Sequence, residues 1–180
     1  RLAAIQHLRT GYPSQCPAQP RVTILNREDE SMQGRHLDDT DVWKSLLQPL
    51  MVTEVPSMDG KSFAEQVQIM ADNDLLISPH GAQLTSIPFL PACAMVIELF
   101  PVGYIIPEFF GSLDVSSGHT HRYLYQSKEP HATTGRTRTA ARSRHVCIQP
   151  RALEQTIVPS IFELVEKEWR ECCNRQQQQG

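Results

Sequence analysis

An excess of either charge is missing from this sequence. Lys and Arg number 17 against 20 Asp and Glu in 180 residues, a net charge of −3. No global field therefore draws the chain to nucleic acid or to anionic lipid, and any anion it binds must be gripped by a few placed cations. Glycine is sparse, at 9. No Gly-x-Gly-x-x-Gly follows the first candidate strand, and no Gly-Lys-Ser/Thr loop occurs, which disfavours a dinucleotide cofactor and a P-loop. An uncharged apolar run long enough to cross a membrane is also lacking. The most apolar stretch, Ile87 to Leu113, carries Glu98, Glu108 and four prolines, which argues against a spanning helix. Gly-x-Ser-x-Gly and catalytic-cysteine signatures are absent, weakening hydrolase readings. The five cysteines, Cys16, Cys93, Cys147, Cys172 and Cys173, have no zinc-ligand spacing. Their odd number leaves at least one outside any intrachain pair. The sequence starts at Arg1 with no signal peptide, so it reads as a fragment whose compartment is not legible from its start.

What is present is an ordinary globular composition, 40% apolar and 21% charged. Short strands are predicted at Arg21–Leu25, Met51–Val55, Leu75–Ser78, Ala94–Phe100, Arg122–Tyr125 and His145–Ile148. Between them, Thr40 caps a helix through Val42, Trp43, Leu46 and Leu47. Phe63, Val67 and Met70 fall at helical spacing. Gly81 to Leu90 reads as a short helix, and Pro150 to about Cys172 as a long amphipathic one. Strands apolar throughout, alternating with helices, predict a doubly wound α/β domain with a parallel sheet covered on both faces. The expected organisation is an amino-terminal helix or linker over 1–20, the domain over 21–175 and a disordered tail over 176–180. Within the domain, 127–144 reads as a mobile basic loop and a solvated insertion, because no aromatics are interleaved for base stacking.

Ligands of an open parallel sheet bind beyond the carboxyl ends of its strands. Three polar groups fall there. Arg27, and then Arg35, follow the first strand and suit a diphosphate, or else pair with nearby Glu and Asp. His80-Gly81-Ala82 sits where a strand turns into a helix; it is either a structural turn or an anion site at a helix start. Glu98 interrupts an apolar strand, as a ligand for ribose hydroxyls or as a structural acceptor. Asp72-Asn73-Asp74 sits at the opposite, amino end of a strand, where a turn is a better reading than metal ligation.

The run from Asp72 to Thr85, with its Ser78-Pro79-His80-Gly81-Ala82-Gln83-Leu84-Thr85 core, is followed by Phe89-Leu90-Pro91 and Val96-Ile97-Glu98-Leu99-Phe100-Pro101. Together these blocks resemble the signature of glycosyltransferase family 61. Arg27 and Gly34-Arg35-His36-Leu37-Asp38 resemble that family's arginine-bearing segment, with Gly34 where an arginine is usual and Asp38 where an asparagine is usual. The resemblance covers Arg21 to Pro101 well and is loose beyond Tyr104. It implies the carboxyl-terminal, nucleotide-sugar-binding half of a GT-B enzyme: inverting, metal-independent, without a cofactor, and moving a sugar such as N-acetylglucosamine or xylose from a uridine diphosphate sugar to a protein or glycan hydroxyl. It implies a Golgi or endoplasmic-reticulum lumen, with membrane attachment only through an amino-terminal anchor outside this sequence. Carried over by position, the donor site comprises Arg27, Arg35, His80, Gly81, Ala82, Leu84, Thr85 and Glu98. His80 is the catalytic candidate within the chain, unless the base belongs to the other half. The alternative is a non-catalytic fragment or inactive relative that binds or stabilises a partner.

Overall fold

The computed structural model describes residues 16–27, 35–125 and 135–179. Five strands, β1 (Val22–Leu25), β2 (Val52–Val55), β3 (Leu75–Pro79), β4 (Met95–Phe100) and β5 (Thr120–Tyr125), form one sheet in the order β2-β1-β3-β4-β5, and every pairing is parallel. The inner strands β1, β3 and β4 are buried at every residue, while the edge strands β2 and β5 are half open. That contrast is what a sheet covered on both faces requires of its inner, largely apolar strands.

Side chains alternate between two apolar layers. Val22, Ile24, Leu75, Ile77, Met95 and Ile97 pack with Trp43 of α1 (Thr40–Leu46), with Leu47 at its C-cap, and with Ile157, Ile161 and Trp169 of a carboxyl-terminal helix. Leu25, Leu76 and Val96 face the other way. They pack with Met70 of α2 (Phe63–Ala71), Leu84 and Ile87 of a 3₁₀ helix (Ala82–Phe89), and Phe110 of α3 (Glu108–Ser116). α2 opens on a capping box: Ser62 Oγ accepts the Glu65 N–H, and Glu65 accepts the Ser62 N–H. At the amino edge, Arg21 donates to both carboxylate oxygens of buried Asp74 and ties the starts of β1 and β3 together. Asp72-Asn73-Asp74 is thus a turn, as its position predicts.

Several elements differ from the sequence reading. His145–Ile148 forms no strand; Val146 makes a single parallel bridge to Leu37. Within the expected basic loop, Gly135–Arg142 is a helix, α4, whose Ala141 packs with Phe100 and Tyr104. The remainder of that loop up to residue 134, and residues 1–15 of the expected amino-terminal linker, lie outside the described residues. Gln176–Gln179, expected as a disordered tail, continues the carboxyl-terminal helix α5 (150–179), in which two π-type segments, Leu153–Ile157 and Val165–Trp169, alternate with α-helix. Asp39, not Thr40, occupies the N-cap of α1, in a left-handed conformation without a capping bond. α3 has no counterpart in the sequence reading. Adjacent Cys172 and Cys173 on α5 bond to different partners, Cys93 and Cys16, leaving Cys147 free and exposed. These bridges close loops of 79 and 157 residues, so they remove much freedom from the unfolded chain.

Candidate functional site at the carboxyl edge of the sheet

β2 and β3 lie on opposite sides of β1, so chain direction across the sheet reverses there. The crevice beyond the carboxyl ends of β1 and β3 is the switch point at which doubly wound sheets bind ligands. Asn26 organises its first wall. Asn26 Oδ1 accepts the backbone N–H of Arg27 at 2.9 Å and of Leu37 at 2.7 Å, and Nδ2 donates to Leu37 O at 3.0 Å. The chain leaving β1 is thereby clamped to the segment that carries Arg35. Arg35 is buried, and its Nη1 donates to His80 O at 3.1 Å. Its pKa is pushed down to about 10, first by burial and then by the nearby positive charges of Arg27 and Arg142. Arg27 Nη1 is buried and has no hydrogen-bond partner among the described residues.

Gly81 explains itself by space. Its backbone is extended, at φ 178°, which any residue adopts. A Cβ there, however, would sit 2.9 Å from Arg27 Nη1 and 2.8 Å from Gln83 Oε1. Glycine lets the guanidinium lie against the turn. Beside it opens a cleft of about 220 Å³, lined by Arg27, Ser57, Asp59, Gln66, Ala82 and Thr85 among others. These residues follow β1, β2 and β3, so the cleft spans three strand ends.

Arg27, Gly81, Ala82 and Thr85 are therefore brought together at one site, with Arg35 alongside. Leu84 is not: it is fully buried in the core, and its N–H is already donated to Gly81 O. Glu98 also departs from the ribose expectation. It is fully buried, and its two oxygens are taken by His80 Nδ1 at 2.5 Å and His121 Nε2 at 3.1 Å. A carboxylate only accepts, so both facing nitrogens carry hydrogen. His80 Nε2 in turn lies 3.5 Å from the Tyr104 hydroxyl. Stacked on Phe100 and flanked by Phe110, His80 is 5% exposed. It is a buried, oriented imidazole rather than an open base. Its carbonyl holds Arg35, so the Glu98–His80 pair fixes the turn on which the arginines assemble.

Sequence reasoning missed three contributors. His121 lies one residue before the strand start assigned from sequence and was invisible as a partner of Glu98. It fits under α3 because Gly111 has no side chain; a Cβ there would lie 2.9 Å from His121 Nδ1. Arg142 and Arg138 fall in the stretch that reads from sequence as a basic loop. In the structure Arg142 acts on Arg35, and the Arg138 guanidinium sits 5.6 Å over the Tyr104 ring. Their spacing of four, on a segment without an acid, was the available sign of a helix with a cationic face.

With this geometry in view, similarity to known proteins follows the same residues. The sequence profile of the family described as Glycosyltransferase 61 matches residues 2–97, which carry most of the cleft. Protein O-linked-mannose beta-1,4-N-acetylglucosaminyltransferase 2 of Xenopus tropicalis is 34% identical over 94 residues, 52% of this chain and 16% of that protein. The human protein of that name is 38% identical over 66 residues, 36% of this chain and 11% of its own length. Its Tetraodon nigroviridis counterpart is 49% identical over 45 residues, 25% of this chain and 8% of its own. The chain thus spans no more than about a sixth of these relatives. The profile match covers more than half of the chain, and the chain belongs to the glycosyltransferase 61 family.

Proposed function

We propose that this chain is the donor-binding half of a GT-B glycosyltransferase, holding a uridine diphosphate sugar at the crevice beyond β1 and β3. The observation that carries the reading is a concentration of uncompensated positive charge. Arg27, Arg35 and Arg142 gather at one sheet edge, and none of them pairs with a carboxylate among the described residues. A diphosphate supplies the missing negative charge and accepts from several guanidinium N–H groups. Arg27 would donate its unused Nη1, and the extended Gly81 turn would allow the phosphates to approach the backbone. Negative charge develops on the leaving diphosphate during transfer, and preoriented arginines stabilise it as it forms.

The reaction is proposed as inverting, with the arginines rather than a metal meeting the diphosphate. An inverting transfer needs a base at the acceptor hydroxyl. Buried His80 is engaged on both nitrogens, so this role is assigned to a part of the protein outside the chain. The relatives' names support N-acetylglucosamine as the transferred sugar and a protein-linked glycan as acceptor. Two disulfides favour an oxidising compartment, which fits a secretory-pathway lumen. No helix among the described residues is long and apolar enough to cross a membrane.

Calorimetric titration with uridine diphosphate tests the reading. Binding is expected without added metal. Arg27→Ala should weaken it by one to two orders of magnitude, since a charge-assisted bond is worth roughly 1.5–3 kcal/mol. Unchanged affinity in the folded variant would remove Arg27 from the site. Absence of binding to the parent chain would favour the non-catalytic alternative.

A further inference from the structure

We propose that His36, Asp38 and His145 form a binding site for one divalent transition-metal ion of the zinc type, clipping the segment after β1 to the segment after α4. Leu37 and Val146 are both buried and face each other across the isolated parallel bridge. In extended chain, neighbours of an inward residue turn outward. His36 and Asp38 flank Leu37, and His145 precedes Val146, so three metal-ligating side chains emerge on the same side.

Their positions are fixed by main-chain bonds. Val146 N–H donates to His36 O at 2.9 Å, and Asp38 N–H donates to Val146 O at 3.1 Å. The remaining groups of Leu37 are held by the Asn26 side chain. The ligand segment is thus anchored on two sides before any ion arrives, which lowers the ordering that binding requires.

The side chains converge accordingly. His36 Nε2 lies 2.8 Å and His145 Nδ1 3.5 Å from the same oxygen, Asp38 Oδ1. The three ligand atoms all lie within 4.8 Å of one another. Metal–ligand bonds of about 2.0–2.2 Å in a tetrahedron separate ligand atoms by roughly 3.3 Å, which falls between the two distances to Asp38 Oδ1. The imidazole rings lie 3.8 Å apart, centroid to centroid, and tilted by 48°. Two neutral imidazoles and one carboxylate suit zinc, cobalt, nickel or copper, and do not suit magnesium or calcium, which prefer all-oxygen sets. All three side chains are partly exposed, so an ion can enter without disturbing the core and a fourth position remains open to water. The other convergent group among the described residues, Cys16, Cys93 and Cys173, is committed to disulfides and offers no thiolates.

The ion would join chain segments more than 100 positions apart. Because the folded chain presents the three ligands together and the unfolded chain does not, binding stabilises the fold. This is separate from the uridine diphosphate reading, and its test does not use the nucleotide.

The experiment uses the full chain, treated with chelator and desalted. Cobalt(II) is added while visible absorption is followed, zinc binding is measured by calorimetry, and melting is recorded with and without ion. One equivalent should bind, cobalt should develop a low-symmetry visible spectrum, and the melting temperature should rise. His36→Ala and His145→Ala should each weaken binding by about 100-fold or more, since losing a ligand exceeds the 10–100-fold effect of losing a ligand's supporting partner. Asp38→Asn, nearly isosteric, should weaken it as well and serves if an alanine variant fails to fold. Cys147→Ser should leave binding intact. The proposal is overturned if the parent takes up no stoichiometric ion, if binding survives in the folded histidine variants, or if Cys147→Ser abolishes it.

Discussion

Replacing Glu98 by Gln separates two roles for the most deeply buried acid of the site. Glu98 offers two accepting oxygens to two imidazole N–H donors, at His80 Nδ1 and His121 Nε2. Glutamine keeps the shape but offers one accepting oxygen and one NH₂. One imidazole N–H then faces a donor in a region closed to water, where an unmet buried polar group costs about 1–3 kcal/mol. For a domain of this size each kcal/mol moves the melting temperature by roughly 2–4 °C. The expected fall is therefore about 2–12 °C, with a matching shift of the urea midpoint at constant slope. Uridine diphosphate affinity per folded molecule should stay within about twofold, because neither oxygen of Glu98 is left for a ligand. Denaturation followed by circular dichroism and calorimetric titration on the same preparation measure both quantities. An unchanged melting temperature with affinity reduced tenfold or more would refute the reasoning. It would return Glu98 to the ribose role that its place at the strand end suggests.

Other consequences are independent of that result. Gly81→Ala should displace the Arg27 guanidinium, because the new methyl meets Arg27 Nη1 and Gln83 Oε1 below 3 Å; nucleotide affinity should fall while the melting temperature changes little, since both obstacles are ends of flexible side chains. Arg142→Ala should weaken uridine diphosphate binding by about tenfold, in line with one charge-assisted contact, and unchanged affinity would remove α4 from the site. Removing one bridge as the Cys93→Ser, Cys172→Ser pair should lower unfolding free energy by about 2–4 kcal/mol, through the 79-residue loop it releases, and an unaltered urea midpoint would contradict that account.

Much of the frame was legible because its signals are local. Short, largely apolar runs at β1, β3 and β4 suit inner strands of a sheet covered on both faces, and the order of strands and helices made that sheet parallel. Once the sheet was parallel, the residues after its strands had to share one rim, so the common location of Arg27, Arg35 and His80-Gly81-Ala82 followed from sequence. The failures have a common cause. Val146 and its neighbours have strand-like composition, but only one bridge forms, and composition does not report pairing. Gly135–Arg142 has helical spacing in its arginines and almost no apolar residue, so nothing in the sequence revealed that Ala141 anchors it on Phe100 and Tyr104.

The sequence by itself thus determined the α/β class, the parallel sheet and the edge at which the candidate site lies. Periodicity and turn residues act over a few positions and survive in a one-dimensional reading. The tertiary structure alone decided which groups meet across the chain. It set Glu98 between His80 and His121, drew Arg142 toward Arg35, joined Cys172 and Cys173 to separate distant partners, and brought His145 to His36 and Asp38. Each of these contacts depends on strand order and helix docking. Those are set by the summed burial of two apolar layers rather than by any single segment.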